Sequence, residues 1–403
     1  MELPLDTKEK NFVKKIILAA LIVGAVASPA FAAGMSTHQF MTETALEKVS
    51  DPELKNFLEA HREMVLTGTV FPDTGFALRY TVEYGKKPDY GEFAHWPPFF
   101  NGYLAYIRAH CPQPFDGHCQ DLIAHLMGVA AHTTEDGAYD EIFLPLAAKM
   151  DPATLTLDTD VVPEFLLIAR FHRWKDVPKY YIPTDDLYAI FSSMGLDYSR
   201  KEIILGNKLL HAATTAERVL VWHYWDSDRK KIAWTMDHIY SAPGGIDFSA
   251  TVVAKYWEIL WRMLDKNEAP PLMVSTFPEA GAVSADPDSP ITVFFSAGKI
   301  SRTVNSSTFI VAGPDGKAVD GQVKNYGLDA TNVSTFIPKD PLAPGATYTV
   351  TLTTGIYDLT NHPGCERFGN SGHCLTTSEN DYQGKPIASN YSWTFTTGSS
   401  AKP

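Results

Sequence analysis

The spacing of hydrophobic and polar positions divides the chain into two parts. From Ser36 to about Leu264, apolar residues recur at the three- and four-residue intervals of amphipathic helices, with Pro and Gly interrupting the pattern. The segments that show it best are PELKNFLEAHREMVL, CQDLIAHLMGVAAHTTED and TVVAKYWEILWRMLDK. Long runs of strand-type alternation do not occur among them, so this part is predicted to be mainly α-helical.

The pattern changes at the proline-rich segment KNEAPPLMVSTFPEAGA. The following runs, among them ITVFFSA, STFIVAG, TYTVTLTTGI and YSWTFTT, are rich in β-branched and aromatic residues and alternate with turns such as GPDGK and LAPGA. About seven short strands in roughly 100 residues are typical of a β-sandwich. The stretch from Val274 to Gly398 also resembles the bacterial Ig-like modules of secreted proteins, which implies a spacer or adhesion module and no chemistry.

The first 32 residues have the pattern of an export signal. Four lysines precede the apolar run IILAALIVGAVA, and AFA is a small-x-small cleavage site. The run is shorter than the roughly 20 residues of a membrane anchor, which is the alternative. We therefore predict a signal peptide at 1–32, a helical catalytic domain at 33–268, a linker at 269–273, an Ig-like domain at 274–399, and a secreted, cell-surface or periplasmic protein.

Charge and cysteine content narrow the chemistry. A formal net charge of −13 disfavours nonspecific binding to nucleic acid or to an anionic membrane. The cysteines form two local pairs, Cys111 with Cys119 and Cys365 with Cys374. In an oxidising compartment each pair is expected to form a disulfide, and neither has the CxxC spacing of a thiolate metal site.

One helical segment carries a stripe of metal-type ligands. His125, His132, Asp136 and Asp140 are spaced seven, four and four residues apart, so on an α-helix they lie along one face. The alternative is a solvated polar face. Apolar residues flank the stripe, however, and buried imidazole and carboxylate groups are costly unless they are paired or bind a metal. The stripe thus favours a zinc site.

Three further residues complete a candidate set without cysteine. Asp73 lies in the turn-like VFPDTG, His95 lies in EFAHWPPF, and His38 lies in STHQ. STHQ predicts a capping box, with Ser36 as the N-cap and Gln39 reaching back. This cap would hold His38 near the amine that signal cleavage frees at Ala33, and such an amine can itself bind a metal.

The order of GMSTHQ, TGTVFPDTG, FAHWPPFFNGYLAYIR and LMGVAAHTTED resembles the zinc-dependent phospholipases C and the catalytic domain of glycosylphosphatidylinositol-specific phospholipase D. More broadly it is similar to the single-strand zinc nucleases. The resemblance covers roughly Gly34 to Trp261. It implies a helical domain with two or three Zn²⁺ ions and a phosphodiester substrate, with peripheral membrane contact. The ligands that it implies are Ala33, His38, Asp73, His95, His132, Asp136, Asp140 and Asp160, with Asp73 also orienting or deprotonating the attacking water.

Two departures from this family concern the third metal position. Asp140 stands where the family usually has a histidine, and MDPATLTLDTDVVPEF lacks the family's later HxxxD or HxxxE pair. Asp151, Asp158 or Asp160 is the expected substitute. His172 and Asp176 have the HxxxD spacing, but they follow that region.

The expected function is therefore secreted, zinc-dependent hydrolysis of phospholipid or glycosylphosphatidylinositol phosphodiester bonds. One alternative is a single-strand zinc nuclease, which is less favoured because the motifs are closer to those of the phospholipase D domain. Another is a noncatalytic, metal-stabilised surface protein whose Ig-like module is adhesive. The bond that breaks, of the phospholipase C or D type, is left open.

Overall fold

The computed structural model describes residues 33–80, 89–155, 161–177, 181–327, 329–361 and 383–399. The predicted signal peptide, Asp158, Asp160 and the Cys365–Cys374 pair lie outside the described residues. Cys111 and Cys119 form the expected disulfide. Within the described ranges, none of the helices combines the length and the apolar character needed to cross a bilayer.

The first part of the chain is helical, as predicted. Its helices are α1 (Met35–Lys48), α2 (Pro52–Ala60), α3 (Arg62–Thr74), α4 (Tyr90–Ala94), α5 (Pro97–His110), α6 (Gly117–Ala138), α7 (Leu144–Met150), α8 (Val161–Phe171), α9 (Thr184–Ser193), α10 (Arg200–Glu217), α11 (Val221–Asp228), α12 (Ala233–His238) and α13 (Ile246–Asp265). A π-helical turn, Tyr139–Phe143, joins α6 to α7.

The central helix is α6, which is buried from Leu122 to its end at Ala138. It packs closely on α3 because glycines face each other across the contact. A Cβ atom on Gly68 would lie 2.1 Å from the carbonyl oxygen of His125, and one on Gly128 would lie 2.1 Å from that of Val65. This close approach brings the polar end of α6 against the C-terminal half of α3.

The second part of the chain is an all-β sandwich. Its strands are β1 (Met273–Phe277), β2 (Ile291–Ile300), β3 (Phe309–Ala312), β4 (Gly321–Tyr326), β5 (Ala330–Pro338), β6 (Thr347–Leu352), β7 (Tyr357–Asn361), β8 (Gln383–Pro386) and β9 (Tyr391–Thr396). One antiparallel sheet has the order β4-β5-β2-β7-β8 with β1 beside β2, and the other is β3-β6-β9. Apolar side chains such as Phe309, Phe336, Val350 and Trp393 fill the space between them.

An apolar cluster joins the two parts. It combines Ala138 and Ile142 from the end of α6 and the π turn, Val252 from α13, Phe294 from β2 and Val333 from β5. The larger sheet therefore packs against the helical part where α6 ends. This contact positions the Ig-like domain beside the candidate site.

Candidate metal centre

Five side chains and one backbone nitrogen converge at the end of α6. All six belong to the ligand set that is predicted from the sequence. His38 comes from α1, Asp73 from α3, His95 from the residue after α4, and His132 and Asp136 from α6. The backbone nitrogen of Ala33 donates to Asp136 Oδ1 over 3.3 Å. All five side chains are buried. His132 and Asp136 are neighbours on α6, but the other residues are far apart in sequence, so helix packing brings them together.

Asp136 lies between two groups of these residues. Its Oδ2 lies 3.2 Å from His132 Nε2 and 3.8 Å from His95 Nε2. Asp73 Oδ1 adds to this group at 3.3 Å from His95 Nε2. The other oxygen, Oδ1, lies 3.1 Å from His38 Nε2. One carboxylate can therefore serve two neighbouring ions, one through each oxygen.

Each histidine is oriented through its other ring nitrogen. His132 Nδ1 lies 2.7 Å from the carbonyl oxygen of Thr69, and His95 Nδ1 lies 2.6 Å from that of Gly91. Because a carbonyl can only accept, both Nδ1 atoms carry the proton. His38 Nδ1 lies 2.8 Å from Glu135 Oε2. These contacts turn the three Nε2 atoms toward Asp136, as outer partners of metal-bound histidines do.

The donor set fits a metal cation. His95 Nε2 and His132 Nε2 lie 2.9 Å apart, although both rings have their proton on Nδ1. Two facing lone pairs at that distance require a proton or a metal ion between them. Among the described residues of this cluster, His38 Nε2, Asp73 Oδ2 and Asp136 Oδ2 are buried without a hydrogen bond. Buried polar atoms normally have a partner, and nitrogen and carboxylate oxygen are zinc ligands.

The electrostatics of the cluster lead to the same conclusion. Burial lowers the pKa of His95, but the hydrogen bond and charge of Asp73 outweigh burial and raise it to about 9. Burial raises the pKa of Asp136, yet the charges of His132 and His38 hold it well below its usual range. The carboxylates thus stay ionised and attract positive charge. Protons and metal ions compete for the same nitrogen atoms.

The remaining assigned residues differ in their surroundings. Asp140 lies in the π turn, and its Oδ2 accepts a hydrogen bond of 2.8 Å from the hydroxyl of Tyr326 in β4. Burial, followed by the charge of Asp140, raises the pKa of Tyr326 well above its ordinary value, so this hydroxyl stays protonated. Asp151 Oδ2 instead accepts from the backbone of Thr235 over 2.6 Å. Asp160 lies outside the described residues.

Ligand-type side chains form two compact groups within the described part of the chain. They are His38 with Asp73 and His132, and His95 with His132 and Asp136. The downstream pair does not join them, since Asp176 is bound by Arg173 and His172 adopts a φ of 56° just after α8. The two groups overlap at His132, so their ligand atoms form one continuous cluster.

His125 does not face the cluster, although helical spacing aligned it with His132. Its Nδ1 lies 3.1 Å from the hydroxyl of Tyr103, and its ring packs edge-on against Phe71. Burial lowers the pKa of His125 to about 3. It is a neutral core histidine, so neither the ligand stripe nor a solvated polar face describes this residue.

Two acidic residues that support the site were not identified from the sequence. Glu135 binds His38 and also accepts from Thr42 Oγ1 over 2.8 Å. Its position beside Asp136 in HTTED was the available signal. Glu164 of α8 accepts the backbone N–H groups of Ser36 over 2.6 Å and Thr37 over 3.0 Å. Glu164 is 128 residues from Ser36 in sequence, and no local pattern connects them.

The predicted capping box at STHQ is wrong. Helix α1 begins at Met35 with Gly34 as its N-cap, and no side chain of its own caps it. Glu164 satisfies the first-turn N–H groups instead, at the end where a negative charge is favourable. The helix start near His38 is as expected, but its cap is tertiary.

Comparisons with known proteins agree with this division of the chain. Residues 267–368 match the model of the bacterial Ig-like domain. Phosphatidylinositol-glycan-specific phospholipase D of Mus musculus is 28% identical over 198 residues, which cover 45% of this chain and 22% of that protein. The enzyme of that name from Dictyostelium discoideum is 24% identical over 274 residues, covering 64% of this chain and 28% of that protein. The chain thus spans between a fifth and a third of the length of these curated relatives.

Among solved structures, the S-layer protein rSbsC(31-844) matches at 12% identity with a TM-score of 0.22, covering 86% of this chain and 46% of that protein. A score this low carries no argument about the fold. The fold itself is multidomain, with a helical part followed by an all-β part that matches the bacterial Ig-like domain.

Proposed function

We propose that the helical part is a zinc-dependent phosphodiesterase that hydrolyses phospholipid or glycosylphosphatidylinositol. The observation that carries the proposal is Asp136, whose two oxygens face His38 on one side and His132 and His95 on the other. A shared carboxylate between nitrogen ligands is suited to a two-metal hydrolytic centre. The similarity to phosphatidylinositol-glycan-specific phospholipase D supports the phosphodiester substrate.

The residues divide into two ligand groups in this proposal. Asp73, His95 and His132 would hold one ion, and His38 would hold the other, with Asp136 shared. Bound zinc would supply Lewis acidity, which lowers the pKa of water from about 15.7 toward 7 and neutralises phosphate oxygens. This explains how a chain of net charge −13 could hold an anionic substrate.

Asp73 is the proposed catalytic base. It belongs to the cluster through His95, and its Oδ2 is buried without a hydrogen bond among the described residues. Burial raises the pKa of Asp73, but the charge of His132 and the hydrogen bond from His95 lower it overall. It is therefore ionised at neutral pH and can orient a water molecule or accept its proton.

Export would complete the second ligand group. The nitrogen of Ala33 lies 3.3 Å from Asp136 Oδ1, which is the oxygen that faces His38. Cleavage after Ala32 would convert this amide into an amine, which can bind a metal once it is deprotonated. We therefore propose that signal removal is a step of site assembly. A variant with additional residues retained before Ala33 should then bind less zinc than the cleaved chain.

The test combines zinc content with chelator-sensitive turnover. Purified protein should contain about two equivalents of zinc, and phosphodiester hydrolysis should disappear on chelation and return with zinc. Product analysis on phosphatidylcholine, a glycosylphosphatidylinositol-anchored protein and single-stranded DNA then identifies the substrate. Phosphatidic acid indicates a phospholipase D cut, diacylglycerol a phospholipase C cut, and mononucleotides a nuclease. Protein without zinc and without turnover would refute the proposal.

A further inference from the structure

One strand of the Ig-like domain contacts two consecutive acidic residues beside the candidate centre. Tyr326 donates its hydroxyl to Asp140 Oδ2 over 2.8 Å, and Lys324 Nζ lies 2.7 Å from Glu141 Oε1. Residues two apart on a strand project to the same face, so β4 presents both side chains to the same turn. That turn begins immediately after the helix that carries His132 and Asp136.

The ring of Tyr326 also packs on the residue that follows His95. Its centroid lies 5.5 Å from the Trp96 ring in an edge-on arrangement, which is favourable for two aromatic groups. Trp96 is itself fixed, because its indole N–H donates to Glu92 Oε1 over 3.0 Å. Tyr326 is therefore held by its ring and its hydroxyl at two points that are each close to a candidate ligand.

The neighbouring strand, β5, touches the residue that follows Asp136. A Cβ atom on Gly137 would lie 2.6 Å from Val333 Cγ2, so the strand and the helix approach as closely as glycine allows. Val333 and Phe294 are buried in the cluster that joins the two parts of the chain. The position of β4 is thus determined by close apolar packing and not by its polar contacts alone.

We infer that the Ig-like domain forms one wall of the metal centre and that Tyr326 is a positioning residue, which holds the Asp140 carboxylate as a further ligand beside the group formed by His95, His132 and Asp136. Asp140 follows Asp136 by four residues, across the junction between α6 and the π turn. A hydroxyl that donates to one carboxylate oxygen fixes the direction of the other, as outer partners of metal ligands do. The spacer or adhesion role implied by the sequence resemblance is then incomplete for this domain.

This inference rests on the proposed zinc site, and its test reads metal binding directly. Zinc affinity is measured by chelator competition on the full chain for the wild type, Tyr326→Phe and Tyr348→Phe. Tyr348→Phe is the control, because it likewise removes one tyrosine hydroxyl of the Ig-like domain, which accepts a hydrogen bond of 2.7 Å from the backbone N–H of Ala343. Phe keeps the ring that packs on Trp96, so Tyr326→Phe should fold.

Loss of an outer partner typically weakens metal affinity by about 10- to 100-fold. We expect a loss of at least about tenfold for one zinc equivalent in Tyr326→Phe and none in Tyr348→Phe. In a cycle with Asp140→Ala, the double variant should bind zinc as Asp140→Ala does, because Tyr326 acts through Asp140.

The outcomes separate the two proposals. Wild-type protein that binds no zinc would refute the proposed function, and this inference with it. Wild-type protein that binds zinc, together with a Tyr326→Phe variant of equal affinity, would refute only the inference. A double variant that binds much more weakly than Asp140→Ala would show that Tyr326 does not act through this carboxylate.

Discussion

Glu164→Ala should destabilise the helical domain and weaken the metal centre together. The carboxylate of Glu164 is buried and accepts three hydrogen bonds from the first turn of α1, from Ser36 N, Thr37 N and, over 2.8 Å, Thr37 Oγ1. The same helix carries His38 as its fourth residue, at the end of the first turn. Removing the cap should therefore loosen the segment that brings Ala33 and His38 to Asp136.

The expected magnitude follows from the groups that are left without partners. Loss of a helix cap costs roughly 0.5 to 2 kcal/mol, and loss of a partly buried negative charge at a helix N-terminus costs up to about 2 kcal/mol. These terms overlap, so the total is smaller than their sum, and we expect a decrease of about 1 to 3 kcal/mol in the free energy of unfolding. Glu164→Gln retains an acceptor and should lose less.

The assay is urea unfolding followed by far-UV circular dichroism, which reports mainly the helical domain, together with zinc content. Asp51→Ala is the matched control, because Asp51 also accepts two backbone N–H groups, from Glu53 and Leu54, at the start of α2. It should lower stability by about 1 kcal/mol and leave zinc content unchanged.

Two results would refute this reasoning. If Glu164→Ala lost stability but retained both zinc equivalents at wild-type affinity, the cap would support the fold without positioning His38. If its unfolding midpoint equalled that of the wild type, water or another acceptor would satisfy the first-turn N–H groups, and the tertiary cap would be energetically unimportant.

Three further predictions concern the cluster and its surroundings. His132→Ala and Asp136→Ala should each abolish chelator-sensitive turnover, and zinc should no longer raise the melting temperature of either variant. A zinc-induced rise in melting temperature equal to that of the wild type would exclude the substituted residue from the site. Gly137→Ala should cost about 1 to 3 kcal/mol by overpacking against Val333, and Val333→Ala in the same chain should restore part of the loss in thermal unfolding. The pKa of His125 is lowered to about 3 in the folded chain, from its ordinary value of 6.5. As the pH falls below about 6.5, the unfolded chain therefore binds more protons than the folded chain, and the free energy of unfolding decreases. His125→Leu should flatten this acid dependence in unfolding experiments without changing zinc content, and an unchanged dependence would contradict the buried neutral assignment.

The ligand cluster shows which contacts helical spacing in the sequence can predict and which it cannot. Helical spacing aligned His132 with Asp136 correctly, because residues four apart on one helix are neighbours whatever surrounds the helix. The same spacing misassigned His125, which faces Tyr103 and the core. Helix α6 is buried and contacts other elements on several sides. Helical periodicity therefore does not distinguish a histidine that faces the candidate metal cluster from one that hydrogen-bonds to a tyrosine hydroxyl in the core.

The sequence by itself determined the two-part fold and named most residues of the candidate cluster. Amphipathic helical periodicity, strand-type runs and turn residues are local properties, and motif order connects distant segments through resemblance to a family. Only the tertiary structure decided that Glu164 caps α1, that Glu135 orients His38, and that Tyr326 of the Ig-like domain reaches Asp140. These contacts join residues far apart in the chain. They depend on how helices and strands pack, which is set by close apolar contacts such as Gly137 against Val333 and is not encoded in any single segment.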